Sequence, residues 1–331
     1  MERFALAAAV VLGFALTAAL CSLFVPLRRV LERREQQQQP VQSEQPRPAP
    51  LRAPLWGGLC AAAGTVAAVG VGWLAACVGQ PELLGSEGRL MTRLLTALAG
   101  SLAFGAVGLA EDLARMRSPA ALGLRRDVRL LLEALAAAFV LLLLRAAGCL
   151  PRGLGVPGAG YVLLGSAVPF LWAVLMVALA ECARIAERDE GTVCGAAFVA
   201  MLALMMVEAG LGVSGLAVLP GALAGALVAL GLWAFPPARL GVGCCGSLLA
   251  AGAIGCIPLS LDMTSLTVPL ALPFWAAGGL LAAQLLCAKR TGKPLRCWVK
   301  KHKMSPETVF LCSFALSAVG YVLALALLRW C

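Results

Sequence analysis

Hydrophobic residues run along this chain in long, nearly unbroken blocks, and most charged residues gather in the short stretches between them. The blocks fall near 4–26, 55–78, 93–110, 130–148, 159–180, 192–209, 213–234, 246–261, 265–287 and 308–328. A helix that crosses the hydrocarbon core of a bilayer needs about 20 mostly apolar residues, which is the length of these blocks. Lipid offers no hydrogen bonds to an unpaired backbone, so only helices and closed barrels can span it. The blocks are continuous and rich in Leu, Ala, Val and Gly, without the in–out alternation of barrel strands, so they predict helices. The expected fold class is an all-α integral membrane protein of about ten transmembrane helices, a single polytopic domain over residues 1–331. Within it, 28–54 reads as a flexible linker loop, Pro-rich and low in complexity, and 288–307 as a basic loop. The first block reads as a helix and not a cleaved signal, because only Glu2 and Arg3 precede it and Leu20 spoils a small-residue cleavage site.

Composition excludes a soluble alternative. Of 331 residues, 61% are hydrophobic and only 13% charged, a balance that a water-soluble core of this size does not keep. The net charge of +10 is distributed unevenly: one alternate set of loops holds 21 Lys and Arg, the other set with both termini holds 6. Cytoplasmic loops retain positive charge, so the first set is expected inside and both chain ends outside. The basic excess is then an orientation signal with some attraction for anionic lipid heads or phosphates, and does not point to nucleic acid. Thirteen cysteines include no C-x-x-C, and Cys60, Cys77, Cys194, Cys256, Cys287 and Cys312 lie in or beside the blocks, where cysteine behaves as a small hydrophobe. Zinc and redox chemistry therefore have little support.

Chemistry has to come from the polar stretches at the block ends. "GLAEDLARMRS" places Glu111 and Asp112 at the end of an almost uncharged block. Neighbouring helical residues point about 100° apart, so these carboxylates do not share a direction. Ion pairing with Arg115, or with the run Arg125, Arg126 and Arg129, competes with a functional role. In "ECARIAERDEG", Glu187 and Glu190 are three apart and would share a helical face, with Arg184 one turn before Glu187. "RLGVGCCGSLL" brackets a cysteine pair with glycines, and "AKRTGKPLRCWVKKHKMSPE" combines many cations with Trp298 and the only histidine, His302. Such a basic loop could cradle phosphates and stack a base, or could snorkel at the lipid surface.

Taken in order, these segments resemble the polyprenyl-phosphate N-acetylhexosamine-1-phosphate transferases, the phospho-N-acetylmuramoyl-pentapeptide transferase-like family, and the correspondence covers nearly the whole chain. "APLWGGL" is similar to the family's T-P-T-M-G-G-L, "GLAED" to G-x-x-D-D, and "GLRRDVRLL" to G-L-x-x-K-Q-K-L-L with Arg129 at the second lysine. "ECARIAERDEG" aligns without a gap to N-A-V-N-L-T-D-G-L-D-G, which puts Glu187 and Glu190 at the two Asp positions, keeps Gly191, and replaces both Asn by Glu181 and Arg184. "PARLGVGCCGSL" aligns to P-A-x-V-F-M-G-D-T-G-S-L, so Cys244 stands where the metal-binding Asp belongs. "PLRCW" resembles the segment that carries P-L-H-H-H, with Arg296, Cys297 and Trp298 in place of the three histidines.

The resemblance implies ten helices with a cytoplasmic-face site in a bacterial plasma membrane. The implied reaction moves a phospho-sugar from a UDP-sugar to undecaprenyl phosphate, with Mg²⁺ as cofactor and UMP released. By carry-over, Glu111, Asp112 and Arg129 would be catalytic; Glu187, Glu190, Gly191, Arg296, Trp298 and His302 would bind substrate; Asp112 would remain as a weakened metal ligand beside the replaced position Cys244. Mg²⁺ prefers oxygen ligands in near-octahedral geometry and a thiol is a poor substitute, so the site is expected to be degenerate. Lengthening Asp to Glu moves a charge by over an ångström, a displacement that can cost about a hundredfold in rate. The expectation is a catalytically impaired or inactive relative acting in cell-envelope synthesis. Its alternative is an active transferase with a rearranged metal site and a different nucleotide sugar, and a transporter ranks behind both. Gly- and Ala-rich faces are compatible with a homodimer.

Overall fold

The computed structural model describes residues 2–38, 56–79, 88–117, 123–151, 153–156, 160–163, 165, 167–187, 191–235, 238–291 and 306–330. The chain is an all-α integral membrane protein with one small hairpin. Its helices are α1 (Glu2–Gln38), α2 (Gly57–Gly79), α3 (Gly88–Arg117), α4 (Arg126–Ala146), α5 (Ala167–Ala186), α6 (Thr192–Gly210), α7 (Ser214–Ala234) and α8 (Gly243–Ser260). A 3₁₀ turn (Thr264–Leu266) and the short α9 (Thr267–Leu270) lead into α10 (Leu272–Thr291), and α11 (Pro306–Trp330) ends the described chain. Between α4 and α5, β1 (Gly153–Val156) and β2 (Gly160–Leu163) pair antiparallel, Gly153 opposite Leu163.

Helix α8 forms the middle of the bundle: all of its residues are buried. An apolar surface on every side is what a helix surrounded by others requires. Helix α3 packs along it, α2, α5 and α6 also touch it, and α7 lies between α1 and α6. Large apolar side chains such as Leu23, Leu131, Leu142, Phe170 and Leu311 are exposed on the outer helices, where a bilayer would cover them. Small residues let backbones approach. A Cβ at Gly13 would strike the Ala222 carbonyl, one at Gly225 the Val10 carbonyl, and one at Gly320 the Pro269 carbonyl.

Eight of the described helices are long and apolar enough to cross a membrane by length and composition. Helix α4 is not one of them, because Arg126, Asp127, Arg129, Glu133 and Arg145 fall within its 21 residues. The expected span 159–180 is also displaced: β2 occupies its start, and α5 begins at Ala167 and runs on to Ala186. Glycines at 153, 155, 158 and 160 punctuate this stretch against a helix. The expected span 265–287 is interrupted at Ala271, close to Pro269 and Pro273, each of which lacks a backbone donor. Helix α1 continues to Gln38, so the first residues of the stretch expected as a linker are helical, while 39–55 lie outside the described residues.

The most consequential difference is the length of α3. Its 30 residues span about 45 Å, well beyond an apolar core of about 30 Å. The block expected at 93–110 is only its middle, and Glu111 and Asp112 therefore sit inside the helix rather than in a loop after it.

Candidate functional site

Three helix ends converge at one end of the bundle: the last turns of α3, the last turn of α5, and the first turn of α8. The chain enters α8 through Gly243, whose φ of 71° is a left-handed conformation that a side chain would strain. That turn presents two consecutive backbone donors to Asp112. The Cys244 N–H donates to Asp112 Oδ1 at 3.0 Å, and the Cys245 N–H to Oδ2 at 2.9 Å. The carboxylate thus caps a helix that is not its own, using the unpaired amides and the positive dipole end that every helix N-terminus offers. Asp112 is 1% exposed, so these two bonds are also what satisfies it.

Close backbone approach holds this geometry. A Cβ at Gly108 would strike the Cys244 carbonyl oxygen, and one at Gly58 would strike the Gly246 amide. The Gly57 N–H also donates to the Gly241 carbonyl at 3.2 Å. Helices α2 and α3 thereby clasp the head of α8 from two sides.

Glu111 turns the other way, as the helical geometry of adjacent residues requires. Its Oε1 accepts from Arg115 Nη2 at 2.7 Å and lies 3.7 Å from Arg129 Nη1. Arg115 Nη1 is 3.9 Å from Asp112 Oδ1 and 3.6 Å from Glu187 Oε2, so one guanidinium faces three carboxylates. Arg129, buried on α4, donates from Nε to Glu181 Oε1 at 2.7 Å and from Nη2 to Glu181 Oε2 at 3.4 Å. Arg184 donates to the same carboxylate at 2.6 Å. Four carboxylates and three guanidiniums thus form one lattice from α3, α4, α5 and the residue after α5. Glu133 lies one turn from Arg129, fully buried, and neither of its oxygens has a hydrogen-bond partner among the described residues.

The residues singled out in sequence separate into two groups. Glu111, Asp112, Arg129, Glu187 and Cys244 come together here, and Gly191, with φ 75°, turns the chain into α6 nearby against Ala234 and Phe235. Glu190, Arg296, Trp298 and His302 lie outside the described residues. Glu187 falls in the turn after α5, its N–H still bonded to the Ala183 carbonyl, and the face it was expected to share with Glu190 involves a residue outside the described ones. Arg184, expected one turn before Glu187, pairs with Glu181. Glu133 went unnoticed in sequence, though a lone acid four residues after an arginine inside an apolar block is a visible signal.

Mg²⁺ would need several oxygen ligands at about 2.1 Å with free lone pairs facing inward. Each Asp112 oxygen accepts an amide, Glu111 Oε1 is bonded to Arg115 while its Oε2 has no hydrogen-bond partner among the described residues, and Glu187 faces that same guanidinium. The Cys244 thiol, buried and 4.0 Å from Glu187 Oε2, adds a soft donor where a hard cation needs oxygen. Among the described residues, no three His, Cys, Asp or Glu side chains are grouped so as to hold a metal ion. The donor set as arranged does not fit the cofactor that the resemblance implies.

The model of glycosyl transferase family 4 matches residues 94–262, from α3 to the turn after α8, which is about half of the chain. The matched segment contains every member of the carboxylate and arginine lattice. A phospho-N-acetylmuramoyl-pentapeptide-transferase from Desulforudis audaxviator is 31% identical over 170 residues, 48% of this chain and 50% of that protein. The chain thus spans about half the length of this relative.

Proposed function

We propose that this chain, which belongs to glycosyl transferase family 4, keeps the membrane scaffold of a phospho-sugar transferase without performing the metal-dependent transfer. The reading is carried by one observation: where a cation would be expected among the acids at the head of α8, Asp112 meets two amides of α8, and Glu111 Oε1 and Glu187 Oε2 face the Arg115 guanidinium. Phosphoryl transfer depends mainly on positioning and on neutralising developing charge. A lattice whose cations are held by its own carboxylates has little left to offer a transferring phosphate. The similar transferase supports a polyprenyl phosphate and a nucleotide sugar as the ligands such a scaffold was shaped for. In this reading the chain serves the bacterial cell envelope from the plasma membrane, retaining at most lipid or nucleotide binding and acting through protein partners.

The test is transfer of labelled phospho-sugar from UDP-N-acetylglucosamine or UDP-N-acetylmuramoyl-pentapeptide to undecaprenyl phosphate. Purified protein is used with and without Mg²⁺ beside an active family member. No lipid-linked product beside an active control is the expected result. Metal-dependent product would overturn the reading and favour a rearranged working site with a different sugar.

A further inference from the structure

We infer that Cys21 of α1 and Cys60 of α2 form a modifiable thiol pair, which hydrogen peroxide converts to a disulfide that staples the two helices together. The inference goes beyond the reading above and does not depend on it. Among the α1 residues whose burial is described, only Ala9, Gly13, Thr17 and Cys21 are buried, a single stripe stepping by four residues. Helix α2 answers with Cys60, Gly64, Ala68 and Gly72, all buried and at the same step. Contacts fix the antiparallel register of the two stripes. A Cβ at Gly72 would lie 3.0 Å from the Ala9 Cβ, and one at Gly64 would strike the Thr17 hydroxyl and come within 3.1 Å of the Thr17 nitrogen. Four residues further along each helix, the same register brings Cys21 to Cys60. The two thiols meet there, each with the other as its hydrogen-bond partner.

Close packing puts the bond within reach. A disulfide needs Cα atoms about 4.4–6.8 Å apart, a separation that helix pairs attain where small residues line the seam. Gly64, one turn from Cys60, supplies that approach. Cys21 is 0% and Cys60 1% exposed, so the oxidant must be small, and α1 is an outer helix whose neighbouring Ser22 and Leu23 are exposed. One sulfur attacks a peroxide oxygen, the O–O bond breaks, and a sulfenic acid forms as the other oxygen leaves as water. The second sulfur then attacks the first, the S–O bond breaks, and a second water leaves. Two thiols thus lose two electrons, and one peroxide is reduced to two waters. Cys194 acts electrostatically on Cys21, and Cys60 on Cys245, but the hydrogen bond joins Cys21 to Cys60, so the first link belongs to that pair. In a reducing compartment such a bond is transient, which suits a reversible response to peroxide. The staple sits within one turn of Gly57 and Gly58, with which α2 clasps the head of α8. No C-x-x-C marks the pair in sequence, because helix packing alone creates it.

The experiment uses the purified full chain, reduced in detergent and then exposed to hydrogen peroxide. Remaining thiols are blocked after denaturation, and tryptic peptides are read by mass spectrometry. The peptide 4–28, which carries Cys21, should be joined to the peptide 53–89 in most chains, and dithiothreitol should separate them. Fragment ions should assign the link to Cys60 and not to Cys77, which lies in the same peptide. The Cys21 and Cys60 thiols should disappear at least about tenfold faster than that of Cys256, which is as deeply buried on α8 but lacks a thiol partner among the described residues. Cys60→Ser should remove the linked peptide. Folded wild-type chains that keep both thiols after Cys256 has reacted would overturn the inference. A first link from Cys21 to Cys194, or from Cys60 to Cys245, would overturn it equally. The wild-type peptide map decides even where Cys60→Ser does not fold. None of these readouts depends on transfer activity, so either reading can fail and leave the other intact.

Discussion

Asp112 and Glu133 are both buried acids at the same end of the bundle, yet their substitutions should have opposite consequences. Asp112 accepts two backbone bonds at the head of α8. Asp112→Asn keeps one acceptor oxygen but puts an amide donor against the second N–H, leaving it unsatisfied. The expected cost is about 1–3 kcal/mol, visible as a lower unfolding midpoint in detergent. Glu133→Gln removes a buried acid whose oxygens have no hydrogen-bond partner among the described residues, so the midpoint should stay or rise. Equal losses from both would mean that Asp112 does not hold α8. Part of this was legible in sequence. The 100° separation of Glu111 and Asp112 follows from helix geometry alone, and Arg115 four residues after Glu111 is a pairing signal. The destination of Asp112 was not legible, because a backbone amide carries no residue-type signature and Cys244 is 132 positions away.

At the level of elements, the decisive contact is the meeting of α2, α3 and α8. Gly108 and Gly58 permit it, since a side chain at either would collide with the backbone of α8 at Cys244 or Gly246. Gly108→Val should push the head of α8 away, break the bonds from its amides to Asp112, and cost about 1–3 kcal/mol or the folded state itself. Gly70→Val on α2 is the matched control, because nothing lies within 4 Å of its added Cβ. Size-exclusion profile and thermal unfolding of the two variants check this, and similar behaviour in both would refute the clasp. The apolar blocks revealed that helices exist but not where they stop. Helix α3 outruns its apolar block because its polar end finds ion partners, so hydropathy reported only the middle 93–110. Helix α4 turns Arg129 and Glu133 inward, where both are buried, which lets a charged segment pass for an apolar one. The hairpin at 153–163 was missed because Gly- and Pro-punctuated apolar residues read the same in a short strand and a frayed span.

Across the whole molecule, the helix ends that build the acid and arginine centre are marked by arginines of their own. The last turn of α3, the last turn of α5 and the first turn of α8 meet there, and Arg115, Arg117, Arg184 and Arg239 lie in or beside those turns. Positive charge is retained on the cytoplasmic side, so the charge census predicts a centre that faces the cytoplasm. A nucleotide sugar is supplied from the cytoplasm, and a scaffold descended from its users would face that way. Arg117→Cys, at an exposed position ending α3, should react with a membrane-impermeant thiol reagent only in inside-out vesicles. Leu211→Cys, exposed just beyond the far end of α6, should react only in right-side-out vesicles. Each variant is compared with the unmodified chain as background for its own cysteines. The reverse pattern would place the lattice outside the cell, remove the nucleotide sugar from its reach, and leave the arginine-filled centre as a purely structural tie between α3, α4, α5 and α8.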